Sequence, residues 1–280
     1  MFDAHLHVWA PESEGNNPSS DFAYSKSPPE GLDGSASTLT LRQDACNVHG
    51  ALVVQPSVHG TDHSYVSNAI SEHPNRLIGC ALVDPSEKDA ENKLETLLQS
   101  GRFRAVRFNP YLFEEECMTS NIGKRLFKRA GELNASVGFM CFYGLNRHLH
   151  DITSLCSEFP ETTVMLDHFG FCQSADGDDF QQLLKLARFP QVHVKASAFF
   201  RVCQNYFPYE DAKDRIDKLI DTFGAERVLW GTDFPFVDSM GCGYEKAAQV
   251  FEQLGYSEET RKLICGNNAR RLLNFQLPSG

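Results

Sequence analysis

The chain has 280 residues, of which 41% are hydrophobic, and a formal net charge of −11 at pH 7. A chain of that length buries roughly three quarters of its unfolded surface, which excludes a disordered protein. The acidic balance argues against a nucleic-acid partner, whose affinity comes from clustered Lys and Arg, and no apolar run approaches the roughly 20 residues of a membrane span.

In chain order, short β-type runs alternate with longer helical patterns. The opening Met1-Phe2-Asp3-Ala4-His5 shows neither a basic leader nor an apolar signal stretch, so a cytoplasmic protein is expected. A first strand is read from Phe2 to Val8. The segment 11–38 is rich in Ser, Pro, Gly and Asn and too long for an ordinary strand–helix loop; it is read as an insertion over one end of the fold, either a lid or a surface loop. Further strands are read at Gly50 to Gln55, Leu77 to Val83, Ala105 to Asn109, Val137 to Phe142, Thr163 to Asp167, Val192 to Lys195 and Val228 to Gly231. Between them, helical periodicity marks Ser64 to Glu72, Ala90 to Gln99, Asn121 to Leu133, Leu149 to Glu158, Phe180 to Leu186, Asp211 to Phe223 and Tyr244 to Leu254. Strands wound by crossover helices in this way close as a (β/α)8 TIM barrel, an α/β fold in one domain over 1–280. Nine cysteines without a Cys-x-x-Cys pair are read as buried free thiols, not as disulfides or zinc ligands.

In a barrel of this kind catalytic groups sit at the C-terminal ends of the strands. His5 and His7 share one face of the first strand, with Leu6 opposite, and two imidazoles on a rigid strand suit a borderline divalent metal. His148-Leu149-His150 repeats the pattern in a helical segment, where positions two apart diverge, and is read as a surface pair. His168 ends the sixth strand and Asp233 the eighth. Arg107 and Asn109 share the inward phase of the fourth strand, and the Arg107 guanidinium suits a carboxylate. Lys195 ends the seventh strand and Arg201 follows it; either could hold an anionic substrate or form a structural ion pair. Tyr143 is a substrate neighbour by position alone. His59, His63 and His73 are read as surface residues, and His193 is left without a role.

The combination Asp3-Ala4-His5-Leu6-His7, Leu166-Asp167-His168-Phe169-Gly170, Leu229-Trp230-Gly231-Thr232-Asp233-Phe234-Pro235 and Asn267-Asn268-Ala269-Arg270-Arg271-Leu272 resembles the amidohydrolase superfamily. It is similar to the branch that contains pyrone-dicarboxylate and sugar lactonases. The resemblance covers residues 2 to about 275. It implies that His5 and His7 are the first-strand pair, that His168 is the sixth-strand histidine and that Asp233 takes a proton from the attacking water. It also implies a small-molecule substrate, carboxylate-bearing, opened as a lactone or related ester. The fifth strand departs from metal-dependent members, since Val137 to Tyr143 contains no His, and the fourth lacks a metal-bridging Lys or Glu. His5, His7 and Asp233 could hold one divalent ion, zinc by donor type, and a metal-free mechanism is equally open. Cys141 could replace the missing ligand, although a structural thiol is the simpler reading. A metal-dependent decarboxylase and a catalytically silent binding barrel are the alternative functions.

Overall fold

The computed structural model describes residues 1–15, 22 and 24–276. Eight parallel strands follow one another round a single sheet in chain order. They are β1 (Phe2–Leu6), β2 (Gly50–Val54), β3 (Leu77–Leu82), β4 (Phe103–Phe108), β5 (Ser136–Phe139), β6 (Val164–Leu166), β7 (Val192–Ser197) and β8 (Val228–Gly231). Beyond the ends of β1 and β8 the chain closes the ring: the Asp233 N–H donates to the His5 carbonyl at 2.8 Å, and the His7 N–H to that of Phe234 at 2.7 Å. The fold is a (β/α)8 barrel.

Side-chain alternation divides the apolar residues into two cores. Phe2, Ala4, Leu52, Val54, Cys80 and Met165 belong to a cluster that fills the lower barrel, capped by Leu273 and Phe275 near the C-terminus. Leu6, Val53, Val106, Phe108 and Phe139 belong to the second, which the surrounding helices cover. Plain alternation from Phe2 and Ala4 would send Leu6 inward and the histidines outward. The pairing shifts between Asp3 and Leu6, where β1 runs one residue longer than β2, and this bulge reverses the phase. His5 and His7 are thereby turned toward the barrel axis.

Two helical readings change. Helix Ala36–Ala45 takes over the end of the expected insertion, with Ser35 as its N-cap accepting from Thr38 N at 3.3 Å. Its Thr-rich sequence masks the apolar period. Tyr244 to Leu254 divides into Tyr244–Ala247 and Val250–Gln253, because the Trp230 indole N–H takes the Ala247 carbonyl, at 3.2 Å, out of the helical ladder. Residues 16–21 and 23 of the expected insertion lie outside the described residues. Its following part is pinned to the barrel mouth, with the backbone N–H groups of Ser25 and Lys26 donating to the Val58 carbonyl at 2.8 and 3.1 Å. Among the described residues, no helix is long and apolar enough to cross a membrane.

Candidate active site

The three imidazoles converge on one carboxylate oxygen. From Asp233 Oδ1, the Nε2 atoms of His7, His5 and His168 lie at 3.3, 3.8 and 4.0 Å. Each ring is fixed through its other nitrogen: His7 Nδ1 by the Val54 carbonyl at 2.8 Å, His168 Nδ1 by Ser197 Oγ at 2.8 Å, and His5 Nδ1 by Asp167 Oδ1 at 3.2 Å. Asp233 Oδ2 accepts from Arg201 Nε at 2.8 Å.

The backbone around these groups is constrained. Asp233 and His168 adopt left-handed φ values of 62° and 51°, a conformation that costs a non-glycine residue about 1–3 kcal/mol and persists only where the surroundings impose it. Part of that constraint is Asp3. Its Oδ1 accepts from the N–H groups of His5 and Thr232 at 3.1 and 3.0 Å, and its Oδ2 from the Thr232 hydroxyl at 2.6 Å. One carboxylate thus ties the strand of His5 to the loop of Asp233. Gly231 permits the close approach, since a Cβ there would lie 2.8 Å from His5 N.

Beneath the histidines lies a buried ionic layer. Asp167 Oδ1 meets Lys195 Nζ at 2.9 Å, Asp167 Oδ2 accepts from Arg107 at 3.2 Å, and Lys195 Nζ also lies 3.2 Å from His5 Nδ1. Burial alone would raise the carboxyl of Asp167, but Lys195, His5 and Arg107 hold it well below the usual carboxylate range. For Asp233, burial likewise opposes ionisation, and His168, His7 and Arg201 reverse the effect, so this group is also strongly depressed. Burial lowers His5 well below the ordinary imidazole value, and His168 to about 4. Both rings are therefore neutral at pH 7. Of the charged groups that line the cavity above this floor, Lys26, Arg107 and Arg201 outnumber Asp233, which favours an anionic ligand.

A cavity of about 390 Å³ opens above this floor. His7, His168 and Asp233 lie at its base, and Arg107, Arg201 and Asn109 face it. Trp9 and Phe236, with ring centroids 5.7 Å apart, form one wall, and Phe142 and Phe171 line the cavity beside Met140. A larger cleft, about 640 Å³, lies near Met1, Asn47 and Arg270, by the starts of β1 and β2 and away from these groups.

The structure separates the remaining expected residues. Lys195 is 1% exposed and belongs to the ionic layer below the pocket, not to its wall. Tyr143 is 68% exposed and stands outside the cavity lining, against Tyr111 and Phe142. Asn109 Oδ1 accepts from Tyr111 N at 3.3 Å. Cys141 is a buried thiol of the outer core, its pKa pushed up by burial. The surface reading of His59, His63 and His148 is wrong: all three are buried. His59 Nε2 accepts from Ala10 N at 3.1 Å and His63 Nε2 from Leu82 N at the end of β3 at 3.0 Å, so both rings satisfy distant backbone, while His148 packs near Tyr111 and Glu116. Sequence reasoning assigned no role to Asp167 or Asp3. A lysine within a buried strand was the available signal, because its ammonium demands a buried carboxylate.

Donor atoms of His5, His7 and Asp233 lie within 4.8 Å of one another, and among the described residues they form the one such group of three. His5 Nε2 is buried without a hydrogen-bond partner. Two oriented imidazoles, one of them backed by a carboxylate, and a facing carboxylate fit a single divalent ion. On and just after β5 the residues nearest the axis, Gly138 and Met140, add no ligand: a Cβ on Gly138 would meet the Val106 carbonyl at 3.9 Å, and Met140 lines the cavity.

Barrel, strand-end histidines and β8 carboxylate together define a class, and the sequence confirms it: the amidohydrolase family model matches residues 2–275, and the chain belongs to that family. The chain is 26% identical over 286 residues to the 4-sulfomuconolactone hydrolase of Hydrogenophaga intermedia, covering 97% of this chain and 88% of the relative. It is 29% identical over 250 residues to the 2-pyrone-4,6-dicarboxylate hydrolase of Comamonas testosteroni, covering 83% and 76%. In fold it matches the solved structure of the probable 2-pyrone-4,6-dicarboxylic acid hydrolase of Acinetobacter baumannii with a TM-score of 0.80 at 22% identity, over 98% and 99% of the two chains.

Proposed function

We propose that this barrel hydrolyses a small anionic lactone, with Asp233 as the base that receives a proton from water. The observation that carries the reading is the single carboxylate oxygen facing three oriented imidazoles at the base of a cavity that Arg107 and Arg201 also line. Relatives that share most of the chain are named for lactones bearing carboxylate or sulfonate groups, which agrees with that charge.

In the reaction, water oxygen adds to the acyl carbon as its proton passes to Asp233. The imidazoles of His5, His7 and His168, whose Nε2 atoms face Asp233 Oδ1, hold the attacking water and the lactone carbonyl in place. Collapse breaks the ring C–O bond, and the departing oxygen takes the proton back, giving the open hydroxy acid. Arg107 and Arg201 orient the substrate by its anionic group. The contacts with His168, His7 and Arg201 that keep Asp233 ionised also make it a weak base. A Zn²⁺ held by His5, His7 and Asp233 would supply compensating acidity to water and carbonyl, whereas Arg107, Arg201 and Lys195 supply positive charge without it. Elemental analysis of protein purified without added metal distinguishes these two versions.

A decarboxylase of this family would rely on a tightly held metal, and Gly138 on β5 and Met140 just after it do not strengthen the three-ligand group. The test is ring opening of carboxylated lactones, followed as proton release, by the wild type and Asp233→Asn. Loss of a general base lowers turnover by about 10²- to 10⁴-fold. Undiminished ring opening in the variant refutes the assignment, and release of carbon dioxide replaces it with decarboxylation.

A further inference from the structure

Ring contacts continue from the catalytic floor to the surface. His168 meets Phe171 at 5.1 Å between centroids, Phe171 meets Phe142 at 5.4 Å, Phe142 meets Tyr143 at 5.2 Å, and Tyr143 meets Tyr111 at 5.4 Å. Exposure rises from 2% at His168 and 7% at Phe171 to 47% at Phe142 and 68% at Tyr143, and Tyr111 is 37% exposed. Isolated exposed aromatics are ordinary on protein surfaces, but a contiguous group at the mouth of a cleft marks a contact surface. Tyr111, Phe142 and Phe171 line the same cavity as His7, His168 and Asp233, so this aromatic surface is continuous with the reacting centre.

Charge limits what can lie there. The turn Glu114–Glu116, just after Tyr111, carries three carboxylates, and Arg147 binds Glu116. Arg107 and Arg201 line the cavity with His7, His168 and Asp233, and Lys26 lines it beside Ser57 and Val58, so none of its cations adjoins Tyr111 in the chain. A substrate anion is therefore met at the floor, and a second anion is disfavoured at the Tyr111 rim.

We propose that Phe171, Phe142 and Tyr111 form a subsite for an uncharged planar aromatic or conjugated substituent, carried on the lactone opposite its anionic group. This inference rests on the lactone reading and names its substrate class. Offset or edge-to-face ring contacts supply the recognition.

Two measurements test it. By calorimetry, the wild type is expected to bind biphenyl-3-carboxylate about tenfold tighter than benzoate, a preference falling to about twofold in Phe142→Ala. In steady-state assays, 4-phenyl-2-pyrone-6-carboxylate is expected to have a higher kcat/KM than 2-pyrone-6-carboxylate, and Phe142→Ala to collapse that ratio. Equal binding of the two carboxylates by the wild type overturns the subsite even if both lactones are opened. A Phe142-dependent binding preference without hydrolysis of either lactone supports the subsite and defeats the lactone reading. Sedimentation velocity guards against another occupant: a dimer that dissociates in Phe142→Ala, with the biphenyl preference unchanged, makes the rim a self-association face and overturns the proposal.

Discussion

Replacing Asp167 by Asn probes the ionic layer under the site. Its carboxylate faces Lys195 at 2.9 Å and His5 and Arg107 at 3.2 Å each, and both Asp167 and Lys195 are almost wholly buried. Removing one member of a buried pair costs about 3–5 kcal/mol, because the surviving charge is left uncompensated in a poorly solvating interior. Against a typical total of about 5–15 kcal/mol, the variant folds but unfolds at a markedly lower urea concentration, by about 1 M. Adding Lys195→Met removes the stranded charge, so the double variant is expected to recover about 2 kcal/mol or more of the loss. Activity follows a different course. Asp167 orients His5, and loss of such a supporting group lowers activity by about 10- to 100-fold; the double variant does not regain it. Urea midpoints and kcat/KM for the wild type, both single variants and the double variant supply the cycle. Additive stability losses, with no recovery on the second substitution, refute the pairing.

Arg107→Gln removes a fork suited to the substrate anion, so KM for a carboxylated lactone is expected to rise by about tenfold or more with a smaller change in kcat; unchanged KM in steady-state kinetics removes Arg107 from substrate binding. Burial lowers His63 from 6.5 to about 4. The unfolded chain therefore binds an extra proton between those pH values, and stability present above pH 6.5 is lost as pH falls toward 4, by about 3 kcal/mol. His63→Gln is expected to flatten that acid limb in urea midpoints measured across the range, and an unaltered slope contradicts the assignment.

The eight strands were legible because each is a short apolar run bounded by turn residues, and parallel strands buried on both faces make that signal strong. His5, His7, His168 and Asp233 were legible because strand ends are sequence-local features. What escaped depends on contacts between distant segments. The bulge that turns His5 inward leaves no mark in Phe2–Leu6, since a bulge is defined against the partner strand. His59 and His63 read as surface groups because each stands in a polar turn, yet each ring receives a backbone N–H from another segment, Ala10 and Leu82. For Lys195 the sequence left a substrate contact and a structural ion pair both open, and Asp167 and His5 hold it in the ion pair below the floor.

In the proposed complex a lactone carbonyl rests over Asp233 while the substrate's anionic group reaches Arg107 or Arg201. A crystal structure of Asp233→Asn soaked with a carboxylated lactone tests this most directly. The expected density shows an intact ring with its acyl carbon within about 4 Å of the residue 233 side chain, or one water away, and its carboxylate on a guanidinium. Electron density for the lactone elsewhere, such as the cleft beside Met1 and Arg270, or a carbonyl turned away from His5, His7 and His168, would contradict it.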